Sequence, residues 1–193
     1  MKIAFLGSHG IGKTTTASYL ADVLGYKLVR LEIIDEIVKL RIEDKLIRQL
    51  LFITHYIRDF ITSYYAYNNI IYDSHPLLVL SYCYWWYHTT RDTKLKEFIK
   101  DLLNLLNYLP VVDVGIVLEA KDISVVLDRI KHRSRANVDE EAEAEYVKFI
   151  DKETKEIVKH KHFLFKELLF VNGCLELNDR CKIILSKLNL HKY

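Results

Sequence analysis

Along the chain, short unbroken apolar runs alternate with long stretches in which apolar positions recur every three or four residues. The first pattern marks buried strands and the second marks helices. Strands are predicted over 2–6, 26–31, 69–73, 112–118 and 168–172. Helices are predicted over 13–24, over 33–67 with one break near Glu43-Asp44, over 76–107 with a break between Thr89 and Asp92, over 122–160, and over 178–189. Strands alternating with helices form βαβ units, which make a parallel sheet and cover both its faces. The expected fold is α/β: one three-layer domain over 1–193, with about five parallel strands and helices on both faces. In such sheets ligands collect at the carboxyl ends of the strands, which directs the search for chemistry.

Composition narrows the function class. With 193 residues, half of them hydrophobic, the chain can bury a substantial core. A formal net charge of +2 argues against a nucleic-acid binder, which carries a basic face. Six glycines and two prolines imply long helices with short connections and give no linker or repeat. The most apolar stretch, Pro76 to Tyr87, is too short to span a bilayer. Its aromatic content suits a buried helix, with a homodimer face as the alternative; no membrane partner is expected. Three cysteines without a C-x-x-C pair suit a reduced, cytoplasmic protein, and a first strand at residue 2 leaves no room for a signal peptide. His160-Lys161-His162 reads as an exposed helix end, because no cysteine or acidic cluster lies beside it to complete a metal site.

Residues 7 to 14, Gly-Ser-His-Gly-Ile-Gly-Lys-Thr, fit G-x-x-x-x-G-K-[ST] between the first strand and the first helix. Glycines let the backbone N–H groups of Gly7, Ser8, His9, Gly10, Ile11 and Gly12 turn toward an anion, and the helix N-terminus at Thr14-Thr15 adds partial positive charge. Lys13 reaches the β- and γ-phosphates, and the Thr14 hydroxyl is a ligand for Mg²⁺. The expected ligands are ATP and Mg²⁺. A single phosphate loop on the first of about five strands describes a P-loop NTPase of kinase type.

Acidic residues follow the next two strands. Glu32 ends the second strand, with Asp35 and Glu36 behind it, and a carboxylate there can accept or orient the proton of an attacking hydroxyl. Asp73 ends the third strand, followed by Ser74, His75 and Pro76. It is placed to hold Mg²⁺ through a water or to touch the acceptor, with helix capping by Asp73 or Ser74 as the plainer role. His75 is a further candidate for acceptor contact. On the helix before the third strand, Gln49 offers an amide for a base edge and Arg58 a guanidinium for the acceptor's ribose or phosphate. Among the many aromatics, Tyr56, Tyr82 and Trp85 are candidates for stacking on a substrate ring, although most must be core.

Arg129, Arg133 and Arg135 form a cluster within a segment, about 129–146, that can act as a lid. Phosphoryl transfer needs fixed positive charge, and arginine supplies it permanently in planar form. The acidic run 139–145 reads as a solvated helix face.

The phosphate loop, Glu32, Gln49 with Arg58, Asp73 and Arg129-Ile-x-x-Arg133-x-Arg135 followed by Tyr146 resemble the deoxynucleoside kinase and thymidylate kinase superfamily from Met1 to about the last helix. The resemblance implies that Glu32 is the general base, and that Asp73 matches the acid of a Glu-Arg-Ser or Asp-Arg-x motif. Three departures concern the acceptor: Ser74 stands where an arginine is expected, Ile33 follows Glu32 in place of proline, and Arg58 lies farther behind Phe52 than the corresponding arginine of thymidylate kinases. Asp73-Ser74-His75 is also similar to the Asp-Thr-Asp of nicotinamide riboside kinases. The expected activity is transfer of the γ-phosphoryl group of ATP to a small acceptor, a (deoxy)nucleoside or nucleoside monophosphate. Glu32 with Ser74 favours a nucleoside hydroxyl. The alternatives are a nicotinamide riboside kinase-like enzyme and an NTP-dependent switch.

Overall fold

The computed structural model describes residues 1–31, 40, 42–132 and 143–190. Five strands form one wholly parallel sheet: β1 (Lys2–Leu6), β2 (Lys27–Val29), β3 (Ile70–Tyr72), β4 (Val112–Glu119) and β5 (Phe165–Asn172), in the order β2-β3-β1-β4-β5. Between and after them lie α1 (Lys13–Leu24), α2 (Lys45–Ala66), α3 (Leu78–Thr90), α4 (Thr93–Leu105), α5 (Ile123–Lys131), α6 (Ala144–His160) and α7 (Leu177–Lys187). The α/β expectation holds.

The two faces of β1 explain the layering. Successive strand side chains point to opposite faces. Ile3 and Phe5 belong to one apolar cluster, with Leu20 of α1, Val126 of α5 and Ile184 of α7. Ala4 and Leu6 belong to the other, with Phe60 of α2, Leu80 of α3 and Ile99 of α4. All four β1 side chains are fully buried, which suits a central strand covered on both faces. The apolar part of α3 is also spent in the core: Leu78, Val79, Leu80, Cys83 and Trp85 are buried within this chain. Among the described residues no helix is long and apolar enough to cross a membrane.

Caps account for the helix boundaries. Asp44 accepts from the N–H groups of Leu46 and Ile47 and starts α2, Asp92 accepts from Lys94 and starts α4, and Asp122 accepts from Ser124 and starts α5. The expected breaks near 43–44 and 89–92 therefore fall at capped starts. The expected strand at 168 begins three residues earlier, at Phe165. β5 is an edge strand, and exposed Lys166 and Glu167 interrupt its apolar run without ending the ladder. The last helix starts at Leu177, with Glu176 in the cap position and no side-chain cap, rather than at Asn178.

This order puts β1 between β3 and β4, with the chain leaving β1 toward one side of the sheet and crossing later to the other. The crevice at that reversal, beyond the carboxyl ends of β1 and β3, is where such sheets bind ligands.

Candidate functional site

The loop after β1 wraps tightly because two of its glycines hold conformations closed to other residues. Gly7 has φ +140°, and a Cβ there would meet the Leu118 carbonyl oxygen of β4 at 2.6 Å. Gly12 has φ +97° and caps α1. Helix α1 begins at Lys13, so its unpaired N–H groups and its positive end face the loop's interior. The Lys13 ammonium lies back over this loop, donating to the carbonyl oxygens of Gly7 (3.0 Å) and Ser8 (2.8 Å). Ser8 is fully buried, and its hydroxyl has no partner among the described residues. Thr14 is half-buried, and the next residue, Thr15, is exposed.

Asp73 sits beside this loop. It is 1% exposed, one residue past the point where Tyr72 of β3 is in register with Ala4 of β1. Its Oδ2 accepts from the Thr14 hydroxyl at 3.2 Å, and its Oδ1 accepts from the Leu31 N–H at 3.0 Å. Its role is therefore not helix capping: α3 begins five residues on, with Leu77 in the cap position and no side-chain cap. The glycine cradle, the Lys13 ammonium and the Thr14–Asp73 pair fit a polyphosphate with a hard divalent cation, since hydroxyl and carboxylate oxygens suit Mg²⁺. No group of three or more His, Cys, Asp or Glu side chains converges elsewhere among the described residues to hold a metal.

The loop is walled by aromatics. The His9 ring stacks on Tyr82 of α3 (centroids 4.8 Å, 29°) and faces Tyr146 of α6 at 6.1 Å. Trp85 meets Tyr146 edge-on at 5.3 Å and Phe149 at 5.3 Å, so it is core rather than a platform for a ring. Tyr56 is likewise buried, edge-on to Phe52.

Of the remaining candidates, Gln49 is 2% exposed on the α2–α3 seam, its Oε1 taking only a long 3.8 Å contact from the Cys83 thiol. Arg58 lies on the outer side of α2, with a side chain 66% exposed, bonded to Asp59 (2.7 Å) and to His55 (3.0 Å). Arg129 donates to the carbonyl oxygens of Gly173 (2.7 Å), Cys174 (3.1 Å) and Leu175 (3.3 Å), with a longer 3.5 Å contact to Ile11 of the loop. It stands beside the loop as a brace on backbone. Glu32, Asp35, Glu36, Arg133 and Arg135 lie outside the described residues, as does most of the expected lid.

His75 requires a correction. It is fully buried with its ring packed against the apolar rings of Phe60 (4.9 Å) and Phe165 (5.0 Å), so it faces the core rather than the cleft. The chain after Asp73 turns inward, and Nδ1 of His75 accepts from the Leu77 N–H at 3.2 Å, ordering the turn before α3. Burial pushes the imidazole down to about 3.

No family model matches the chain, and no curated protein is detectably similar in sequence. Similarity appears in three dimensions. A structure of deoxyadenosine kinase from M. mycoides with the products dCMP and a flexible dCDP superposes at TM-score 0.81 and 23% identity, covering 98% of this chain and 100% of that one. The same enzyme with dCTP gives 0.77 at 24%, and with dATP 0.79 at 22%, over the same shares of both chains. The chain has the fold of that kinase.

Two parts of the site escaped sequence reasoning. Arg180, on α7, is 3% exposed and lies against Gly12, with which it shares no local pattern. Glu119, at the end of β4, is tied to Lys121 (3.1 Å) and Lys155 (3.9 Å), and Lys155 in turn to Asp151 (2.6 Å). This network holds the β4 exit beneath the loop: Asp151 also accepts from the Ala120 N–H at 2.8 Å. Only the i, i+4 spacing of Asp151 and Lys155 hinted at it.

Proposed function

We propose that the protein is a phosphotransferase that moves the γ-phosphoryl group of ATP to a hydroxyl of a (deoxy)nucleoside. The observation that carries this reading is the Thr14–Asp73 contact, which brings a P-loop hydroxyl and a strand-end carboxylate together at the carboxyl ends of two neighbouring strands. A loop that binds phosphate needs only its amides and lysine; an acid joined to its threonine adds the oxygen set that phosphoryl transfer requires. The fold shared with a deoxyadenosine kinase supports the same reading.

The loop amides and the N-terminus of α1 hold the donor phosphates. Lys13 exchanges the Gly7 and Ser8 carbonyls for phosphate oxygens and stays with the charge as it develops. Thr14, with Asp73 behind it, would hold Mg²⁺, which when bound would offset negative charge on the donor phosphates. Glu32 follows directly on Leu31, whose N–H is bonded to Asp73, and is assigned as the base that takes the acceptor's hydroxyl proton. Arg133 and Arg135 are assigned to the transferring group, and Arg129 to holding the wall of the donor site. Gln49, a buried amide with one weak contact to the Cys83 thiol among the described residues, is assigned to the edge of the acceptor's base.

The test is transfer of label from ATP in the presence of Mg²⁺ to nucleosides, monophosphates or nicotinamide riboside, together with Glu32→Gln. Transfer to a nucleoside hydroxyl with a large loss in Glu32→Gln supports the proposal. Transfer to a monophosphate, or an unaffected Glu32→Gln, overturns the acceptor or the base assignment respectively.

A further inference from the structure

Behind the phosphate loop lie two guanidinium groups whose hydrogen-bond partners among the described residues are all neutral. Arg180 is 3% exposed on α7, and its Nη1 donates to the carbonyl oxygens of Gly173 (2.5 Å) and Leu175 (3.3 Å). Arg129 of α5 donates to the same two carbonyls and to that of Cys174, so both guanidinium groups converge on the turn after β5. Neither forms an ion pair with a carboxylate among the described residues, and Nε of Arg180 has no partner among them. The other side of Arg180 abuts the loop: a Cβ built on Gly12 would stand 2.9 Å from Nη2 and 3.2 Å from Nη1. Gly173 is pressed on Ile11 in the same way, a Cβ there falling 2.4 Å from the Ile11 side chain. The loop residues Ile11 and Gly12 are thus backed by a wall carrying two positive charges.

Bare structural bracing does not account for this arrangement. A buried charge is costly unless it is paired, and here two like charges share acceptors. Burial, followed by the charge of Arg129, holds the Arg180 guanidinium below its usual range, against a smaller pull from Glu176 and two cysteines. A methionine or leucine would fill the same space behind Gly12 without that cost. A polyanion held by the loop would supply the missing counter-charge. Because Gly12 has no side chain, the guanidinium can lie directly against the loop's backbone.

We infer that Arg180 is a positioning residue for the donor polyphosphate: fixed under Gly12 and paired with Arg129 on the Gly173 carbonyl, it supplies buried positive charge that strengthens binding of phosphate by the loop. The inference rests on the reading of residues 7–14 as the donor's phosphate site. The guanidinium donates to backbone carbonyls and acts through the loop's field, which is strong where water is excluded.

The experiment measures binding of ATP and tripolyphosphate to wild type, Arg180→Met and Arg180→Lys, with circular dichroism confirming folding. Arg180→Met is expected to weaken ATP and tripolyphosphate alike by about tenfold, and Arg180→Lys to restore most of both. A purely structural brace would give a loss that lysine does not rescue. Should Arg180→Met fail to fold, Arg180→Gln against Arg180→Lys carries the same comparison. Unchanged tripolyphosphate binding in a folded, charge-free variant overturns the inference and leaves the phosphate site standing. A wild type that binds neither ATP nor tripolyphosphate overturns both.

Discussion

His75 gives a pH dependence that can be worked from the structure. The ring is fully buried between Phe60 and Phe165, its Nδ1 accepts from Leu77, and the Nε2 proton this implies has no acceptor among the described residues. Burial lowers its pKa from 6.5 to about 3. Between those values the unfolded chain binds a proton that the folded chain refuses, so stability is full above pH 6.5 and falls as pH drops below it. From pH 7 to pH 5 the loss from this one group is about 2 kcal/mol, a sizeable share of the roughly 5–15 kcal/mol typical of a domain. The assay is urea unfolding followed by circular dichroism at pH 7 and pH 5, without metal, on wild type and His75→Asn. Asparagine keeps an oxygen to accept from Leu77 and cannot titrate. It leaves a cavity, but that cost is equal at both pH values and cancels in the difference. Carboxylates held below their usual range, such as Asp113, titrate in both proteins and cancel as well. The wild type should lose about 2 kcal/mol more than the variant between the two pH values. Equal losses, within about 0.5 kcal/mol, would refute the assignment of a neutral, buried His75.

Further expectations follow from individual contacts. Lys13→Ala removes the ammonium that lies over the Gly7 and Ser8 carbonyls, and should weaken ATP binding by about 10- to 100-fold in calorimetry while the protein stays folded. Asp73→Asn keeps a hydrogen bond to Thr14 or Leu31 but removes the charge; transfer rate at fixed Mg²⁺ should fall by about 10- to 100-fold, and full activity would remove Asp73 from the metal's surroundings. Gly115→Val places atoms where a Cβ already meets the Phe165 ring at 2.5 Å and Leu168 at 2.8 Å, and should cost about 1–3 kcal/mol in urea unfolding. Burial raises the Cys83 thiol to about 12 and the Cys181 thiol to about 11, whereas Cys174 is half-buried. Iodoacetamide at pH 8 should therefore modify Cys174 first by mass spectrometry, and equal rates at all three would contradict the packing.

What was legible in the sequence was local. The β1–loop–α1 unit fell where the glycines, Lys13 and the apolar run placed it, because each of its constraints acts within a few residues. Asp73 was legible for the same reason, at the end of a short buried strand. The apolar run predicts β2 over 26–31, but the strand is three residues long, since an edge strand is ended by its neighbour and not by its own apolar run. A polar residue two places past a strand-end acid, such as His75, looks cleft-facing in the sequence, and only the packing of Phe60 and Phe165, from other elements, shows that it turns inward. Arg180 lay in an ordinary amphipathic helix, and its partners Gly12 and Gly173 are brought to it by the sheet. Arg129 was singled out for its charge, but its carbonyl partners on the β5 turn could not be read from the sequence.

The central claim is that the Thr14–Asp73 site transfers phosphate to a small acceptor. The most direct measurement incubates the protein with γ-labelled ATP, Mg²⁺ and separate deoxynucleosides, nucleosides, their monophosphates and nicotinamide riboside, with Lys13→Ala as control. The account predicts label on a nucleoside hydroxyl with the wild type and none with Lys13→Ala. Tight ATP binding with no acceptor labelled, or hydrolysis indifferent to every acceptor, would contradict it.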